Sequence, residues 1–172
     1  MSTPKELNYY MPAEWYPHEC CWMQWPYQNP NHNSYGEIPT WSHFDFEKGR
    51  IAWANVAKAI SKFEKVKILV HEENISNANK LLDSEIEIIK LNIDDCWARD
   101  SGAIFLLNNE NKLGGIDWEF NGWGKFKPYD SDNKIAKFMI ENSSAKYFKN
   151  YMVLEGGSIH VDGDGTLLTT EQ

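Results

Sequence analysis

Ala103-Ile-Phe-Leu-Leu107 is followed by Asn108-Asn-Glu-Asn111 and then by Leu113-Gly-Gly-Ile-Asp-Trp-Glu-Phe120. The two apolar runs read as strands and the Asn-rich link as a turn, so the stretch predicts a hairpin. Downstream, Asp130 or Asp132 is placed to cap a helix carrying Ile135, Ala136, Phe138 and Met139. Tyr151–Leu154 reads as another strand. Ser158–Val161 and Thr166–Thr169 form a second hairpin around Asp162-Gly-Asp-Gly165. The order is strand, strand, helix, strand, and then two strands again. It suggests a repeated unit of two strands, a helix and a strand. An ordinary α/β domain ending in a hairpin fits the same order.

Working back from residue 103, Glu85–Lys90 alternates like a strand and Asn74–Leu82 reads as a short helix with Ile75, Ala78 and Leu82 inward. Val66–Val70 is a buried strand. Phe46–Phe63 predicts a helix whose stripe is Trp53, Val56, Ala57, Ile60 and Phe63. Cys21, Met23 and Trp25 alternate in one short strand, which Pro26 ends because proline has no N–H for a ladder. A long polar connection runs on to Phe44.

The 172 residues suit one domain, or one and a fraction. Hydrophobic residues at 42% and charged residues at 24% are globular values. Seventeen Lys and Arg stand against 25 Asp and Glu, a net charge of -8. That excess argues against a nucleic-acid ligand, whose grip depends on cations meeting phosphates, and leans slightly towards a cationic one, although acidity that serves solubility is the plainer reading. No apolar run reaches the roughly 18 residues that cross a membrane, and no secretory leader is visible at the start. Cys20, Cys21 and Cys96 make neither a disulfide framework nor a metal spacing. A reducing, cytoplasmic setting is the expectation.

Three clusters could carry chemistry. In Asp94-Asp-Cys-Trp-Ala-Arg-Asp100, Trp97 offers a flat wall and Asp100 a carboxylate, which suit a planar cation. An ion pair of Arg99 with Asp94 or Asp100 on a surface loop is the plainer reading. In Leu154-Glu-Gly-Gly-Ser-Ile-His160, Glu155 ends a strand and two glycines bare the backbone behind it. Glu155 is then a general base or orienting group, or a solvated residue at a bulge. In His160-Val-Asp162, the Asp could orient the His, but Asp162-Gly-Asp-Gly165 is first of all good turn chemistry. Cys96 stands near Arg99, which would favour a thiolate, yet a small buried cysteine is the commoner case.

Several segments resemble the agmatine deiminases and the related bacterial peptidylarginine deiminases. They are Met11-Pro-Ala-Glu-Trp15, Pro17-His-Glu19, Trp22-Met-Gln-Trp-Pro26, Trp97-Ala-Arg-Asp-Ser-Gly102, Gly115-Ile-Asp-Trp-Glu-Phe-Asn-Gly-Trp-Gly124 and Val153-Leu-Glu-Gly-Gly-Ser-Ile-His-Val-Asp-Gly163. They follow one another in the family's order from residue 11 onwards.

The resemblance implies the pentein fold, an α/β propeller of five ββαβ-type units around a central site. It implies hydrolysis of agmatine to N-carbamoylputrescine and ammonia, a step towards putrescine, with no metal or organic cofactor. The reaction needs carboxylates to grip the guanidinium in its plane, a cysteine thiolate to attack its carbon and a protonated His to deliver a proton to the leaving ammonia. By resemblance Asp100 holds the guanidinium, Trp97 lines the pocket, and Glu155 partners the catalytic His and contacts the guanidinium. His160 is not that His, which belongs to a later His-x-Asp motif.

The family's nucleophilic Cys and that His lie in a second half, and this chain ends near the family's midpoint. The expectation is therefore an N-terminal part of one pentein domain spanning residues 1–172. Alone it should be inactive and either marginally stable or associated, with itself or with the missing half. A peptidylarginine deiminase-type enzyme and a non-catalytic truncated or split subunit are the rivals.

Overall fold

The computed structural model describes residues 2–31 and 45–171. The polar connection expected up to Phe44 lies mostly outside the described residues. The chain falls into two compact units, one made of residues 18–98 and 124–132, the other of the remaining segments.

The first unit holds a parallel sheet. Its strands are β2 (Cys20–Gln24), β3 (Lys65–Val70) and β4 (Glu87–Lys90), in the order β2-β3-β4. Helices α1 (Phe46–Ile60) and α2 (Ile75–Leu81) make the crossovers that parallel pairing requires. Central β3 buries Val66, Ile68, Leu69 and Val70, as a strand covered on both faces should. Trp25, Ala54, Ala57, Ala78, Leu82 and Ile86 complete the core.

Helix α1 starts where Asp45 accepts the Lys48 N–H at 3.1 Å. It stops at Ile60, short of the Phe63 read from the sequence. Phe63 is 90% exposed and Val56 half exposed. The buried face is Gly49, Arg50, Ala54 and Ala57, and Trp53 and Ile60 of the expected stripe pack against the same core. Arg50 can lie inward because its guanidinium donates to the Pro26 carbonyl at 3.1 Å and to Glu47 at 2.7 Å.

The second unit is built on a four-stranded sheet. Its strands are β1 (Tyr9–Tyr10), β5 (Ile104–Asn108), β6 (Leu113–Glu119) and β7 (Lys146–Val153), ordered β1-β5-β6-β7. The β5–β6 hairpin is the one read from the sequence. Asn108 closes it by accepting the N–H groups of Glu110 and Lys112. β6 and β7 are parallel and joined through α4 (Ile135–Asn142), which gives one ββαβ unit over 104–153.

Strand β7 begins five residues before the Tyr151 expected. Its pairing partner is Gly114–Asp117, and within β7 only Phe148 is buried, too little apolar alternation for a sequence reading to catch. Gly115 lets α4 sit on the sheet, because a Cβ there would stand 2.5 Å from Cγ1 of Ile140. A separate hairpin, β8 (Ile159–Val161) and β9 (Leu167–Thr169), follows. Its turn is tied by Asp162, which accepts the N–H groups of Asp164 and Thr166.

Candidate functional site

Asp100 lies on α3 (Ala98–Ser101), the single turn that follows the Asp94–Trp97 loop. Its carboxylate is half-buried and already oriented. Oδ1 accepts the Gly157 N–H at 3.1 Å, and Oδ2 accepts the Trp123 indole N–H at 3.2 Å. A carboxylate has about four lone-pair positions, so both oxygens keep acceptor capacity for a ligand.

Gly157 stands two residues after Glu155, so Asp100 and the Glu155 segment meet here. Glu155 is half-buried, two residues past the end of β7, and its carbonyl accepts both the N–H and the hydroxyl of Ser158. The glycine pair is required by the close approach. A Cβ on Gly157 would collide with Asp100 Oδ1, and one on Gly156 with the Arg99 carbonyl.

Arg99 clamps the same junction from the other side. Its Nε donates to the Gly156 carbonyl at 3.0 Å, and its Nη2 to the Ile159 carbonyl at 3.4 Å and to Glu14 at 2.6 Å. The plainer sequence reading had Arg99 paired with Asp94 or Asp100, and the structure turns it to Glu14 instead. This assigns a job to Glu14 of the Met11-Pro-Ala-Glu-Trp15 segment that sequence alone did not show. No local signal could have found it, since the partners are 85 residues apart.

Trp97 belongs to the other unit, where its half-buried ring meets Trp53 edge to face at 6.0 Å. The loop before it is held by a buried carboxylate network. Asp132 accepts the N–H groups of Asp94 (2.9 Å) and Asp95 (3.0 Å) and the Gln24 amide (3.3 Å). Asp94 accepts the N–H groups of Ser131 and Asp132 in return. Asp132 is therefore no helix cap, as the sequence had suggested. Helix α4 has no side-chain cap, and Asp132, 2% exposed, faces the loop. Burial pushes the Asp132 carboxyl well above its usual range, and the charges of Asp94 and Asp95 add to the effect.

Cys96 is buried in the same network. Burial and then Asp95 push its thiol well up, in keeping with the reading of a small buried cysteine. His160 is exposed on β8, and the Asp162 carboxylate is used up in its own turn. His160 and Asp162 thus form a hairpin, as the turn reading had it. Among the described residues no group of three or more His, Cys, Asp or Glu could hold a metal ion.

The joined Asp100 and Glu155 segments can do one thing directly. They present the Asp100 carboxylate as an acceptor held by the Gly157 N–H and the Trp123 indole N–H, an arrangement suited to in-plane hydrogen bonds with a planar guanidinium. The sequence model of the Porphyromonas-type peptidyl-arginine deiminases matches residues 10–172. The chain belongs to this family.

A Pseudomonas aeruginosa agmatine deiminase is 39% identical over 178 residues, covering 99% of this chain and 46% of the relative. A Legionella pneumophila protein, named only provisionally as an agmatine deiminase, is 46% identical over 173 residues, covering 99% and 47%. The solved agmatine deiminase of Enterococcus faecalis superposes with a TM-score of 0.84 at 37% identity, covering 99% of this chain and 46% of that one. The α/β pentein class expected from the sequence stands on this likeness and on the ββαβ unit. The chain spans about half the length of the curated relatives it matches.

Proposed function

We propose that this chain carries the guanidine-holding part of an agmatine deiminase site, which hydrolyses agmatine to N-carbamoylputrescine and ammonia in the making of putrescine. The observation that carries the reading is the Asp100 carboxylate fixed by the N–H of Gly157, two residues from Glu155. Asp100 grips the guanidinium in its plane, and Glu155 makes the second carboxylate contact and orients the proton-delivering His. Trp97 is assigned to the pocket lining by the family resemblance alone. The excess of acidic residues favours a cationic substrate and no nucleic acid.

The reaction also needs a thiolate. None of the chain's three cysteines suits it, since burial raises Cys20, Cys21 and Cys96 alike. The resemblance assigns the nucleophilic Cys and the proton-delivering His to a second half that these 172 residues do not contain. The chain by itself then binds agmatine without turning it over. It gains activity when supplied with that half, and a cytoplasmic setting belongs to the same reading.

Two measurements test this. Titration calorimetry should show saturable agmatine binding that Asp100→Asn removes. An ammonia assay should show no turnover above a boiled control, and turnover once the second half of a relative is added. Absence of any agmatine binding would sink the proposal. The family description favours a second reading, in which the substrate is a peptidyl-arginine. A peptide ending in arginine that binds more tightly than agmatine would establish it.

A further inference from the structure

Trp123 has a left-handed backbone, with φ 56°, between Gly122 at 66° and Gly124 at 73°. For a bulky residue this conformation is costly and persists only where the surroundings hold it. The surroundings do so here. The Trp123 ring meets Phe120 edge to face at 5.0 Å, and the Phe120 N–H donates to Asn133 at 2.7 Å. Asn133 in turn donates to Glu119 at 2.9 Å, and Glu119 is paired with Lys149 at 2.7 Å. This strained and braced turn places the indole N–H on Asp100 Oδ2.

We infer that Trp123 is a positioning residue for guanidine capture, an inference that rests on the reading of Asp100 given above. Two donors meet the carboxylate, Gly157 on one oxygen and Trp123 on the other. With both in place the carboxylate cannot rotate about its Cβ–Cγ bond, and its remaining lone pairs keep one plane. A guanidinium is planar, so it binds well only to a carboxylate whose plane is set in advance. The strain in the Trp123 backbone is then stored to keep the indole N–H aimed at Asp100.

The test uses the 172-residue chain, ¹⁵N-labelled, with agmatine as the probe. The indole N–H signal missing from Trp123→Phe identifies Trp123. That signal should move upfield in Asp100→Asn and shift in the wild type as agmatine saturates. Trp123→Phe keeps the ring on Phe120 but loses the donor, and should weaken agmatine binding about tenfold with an unchanged far-UV spectrum. If Trp123→Phe binds agmatine as tightly as the wild type, the positioning role is overturned while the guanidine reading stands. If the wild type binds no agmatine, the guanidine reading falls and the inference with it. If Trp123→Phe does not fold, the Asp100→Asn spectrum decides, because signals that all stay in place overturn the inference.

Discussion

The backbone N–H of Gly157 donates to Oδ1 of Asp100 at 3.1 Å, joining segments 57 residues apart in sequence. The contact exists because residue 157 has no side chain. A methyl group there would occupy the place of the carboxylate oxygen. Gly157→Ala should therefore push Asp100 away and weaken agmatine binding at least tenfold. Gly157 itself is exposed, so the fold should survive. Calorimetry beside a thermal melt checks this, and wild-type affinity in the variant would refute it.

Asp132 connects stability to pH. Its carboxyl is raised by burial above its ordinary value of 3.8. The folded state therefore holds a proton that the unfolded state releases. The stabilisation is complete below 3.8 and is lost as pH rises through the folded value. Asp132→Asn removes this titration. It also turns an amide N–H towards the Asp95 N–H, leaving a buried donor unsatisfied at a cost of about 1–3 kcal/mol. Urea melts between pH 4 and pH 8 should show the wild type losing stability more steeply than the variant.

Packing of α4 on the sheet is close at Gly115. Gly115→Ala would drive a methyl into Ile140, and overpacking of this kind costs about 1–3 kcal/mol. Ile140→Ala alone, which removes both Cγ1 and Cδ1, should cost about 2–5 kcal/mol. In the double variant the two changes should offset one another, so that its loss is smaller than the sum of the two. Additive melting shifts would contradict the contact.

The thiols should be slow. All three described cysteines are free, and burial raises each of them. At pH 8 an aromatic disulfide reagent should label Cys96 only as fast as the chain opens, and urea should release it. Rapid labelling of Cys96 in the native protein would mean that it is not shut in.

Much of the architecture could be read along the chain. The Asn108–Asn111 turn, buried β3 and the Asp162–Gly165 turn are local features, each determined by residues within a few positions of one another. The glycine pair after Glu155 announced a close approach but not to what. Phe63 and Val56 show the limit of helical periodicity. They have the right spacing, yet the helix ends at Ile60, and of the expected stripe only Trp53, Ala57 and Ile60 reach the core, beside Gly49 and Ala54.

By itself, then, the sequence determined the kinds of element, their order and the residue types able to hold a guanidinium. Turn chemistry and apolar alternation act over a few residues, and such information survives in a linear reading. Tertiary structure alone decided which loops meet. It brought Glu14 to Arg99, Asp132 to Asp94 and Asp95, and Trp123 to Asp100. These partners are set by strand order and by the few places where glycine lets two backbones touch. Neither leaves a periodic trace, so the carboxylate that the sequence nominated acquired its two fixing donors only when the chain folded.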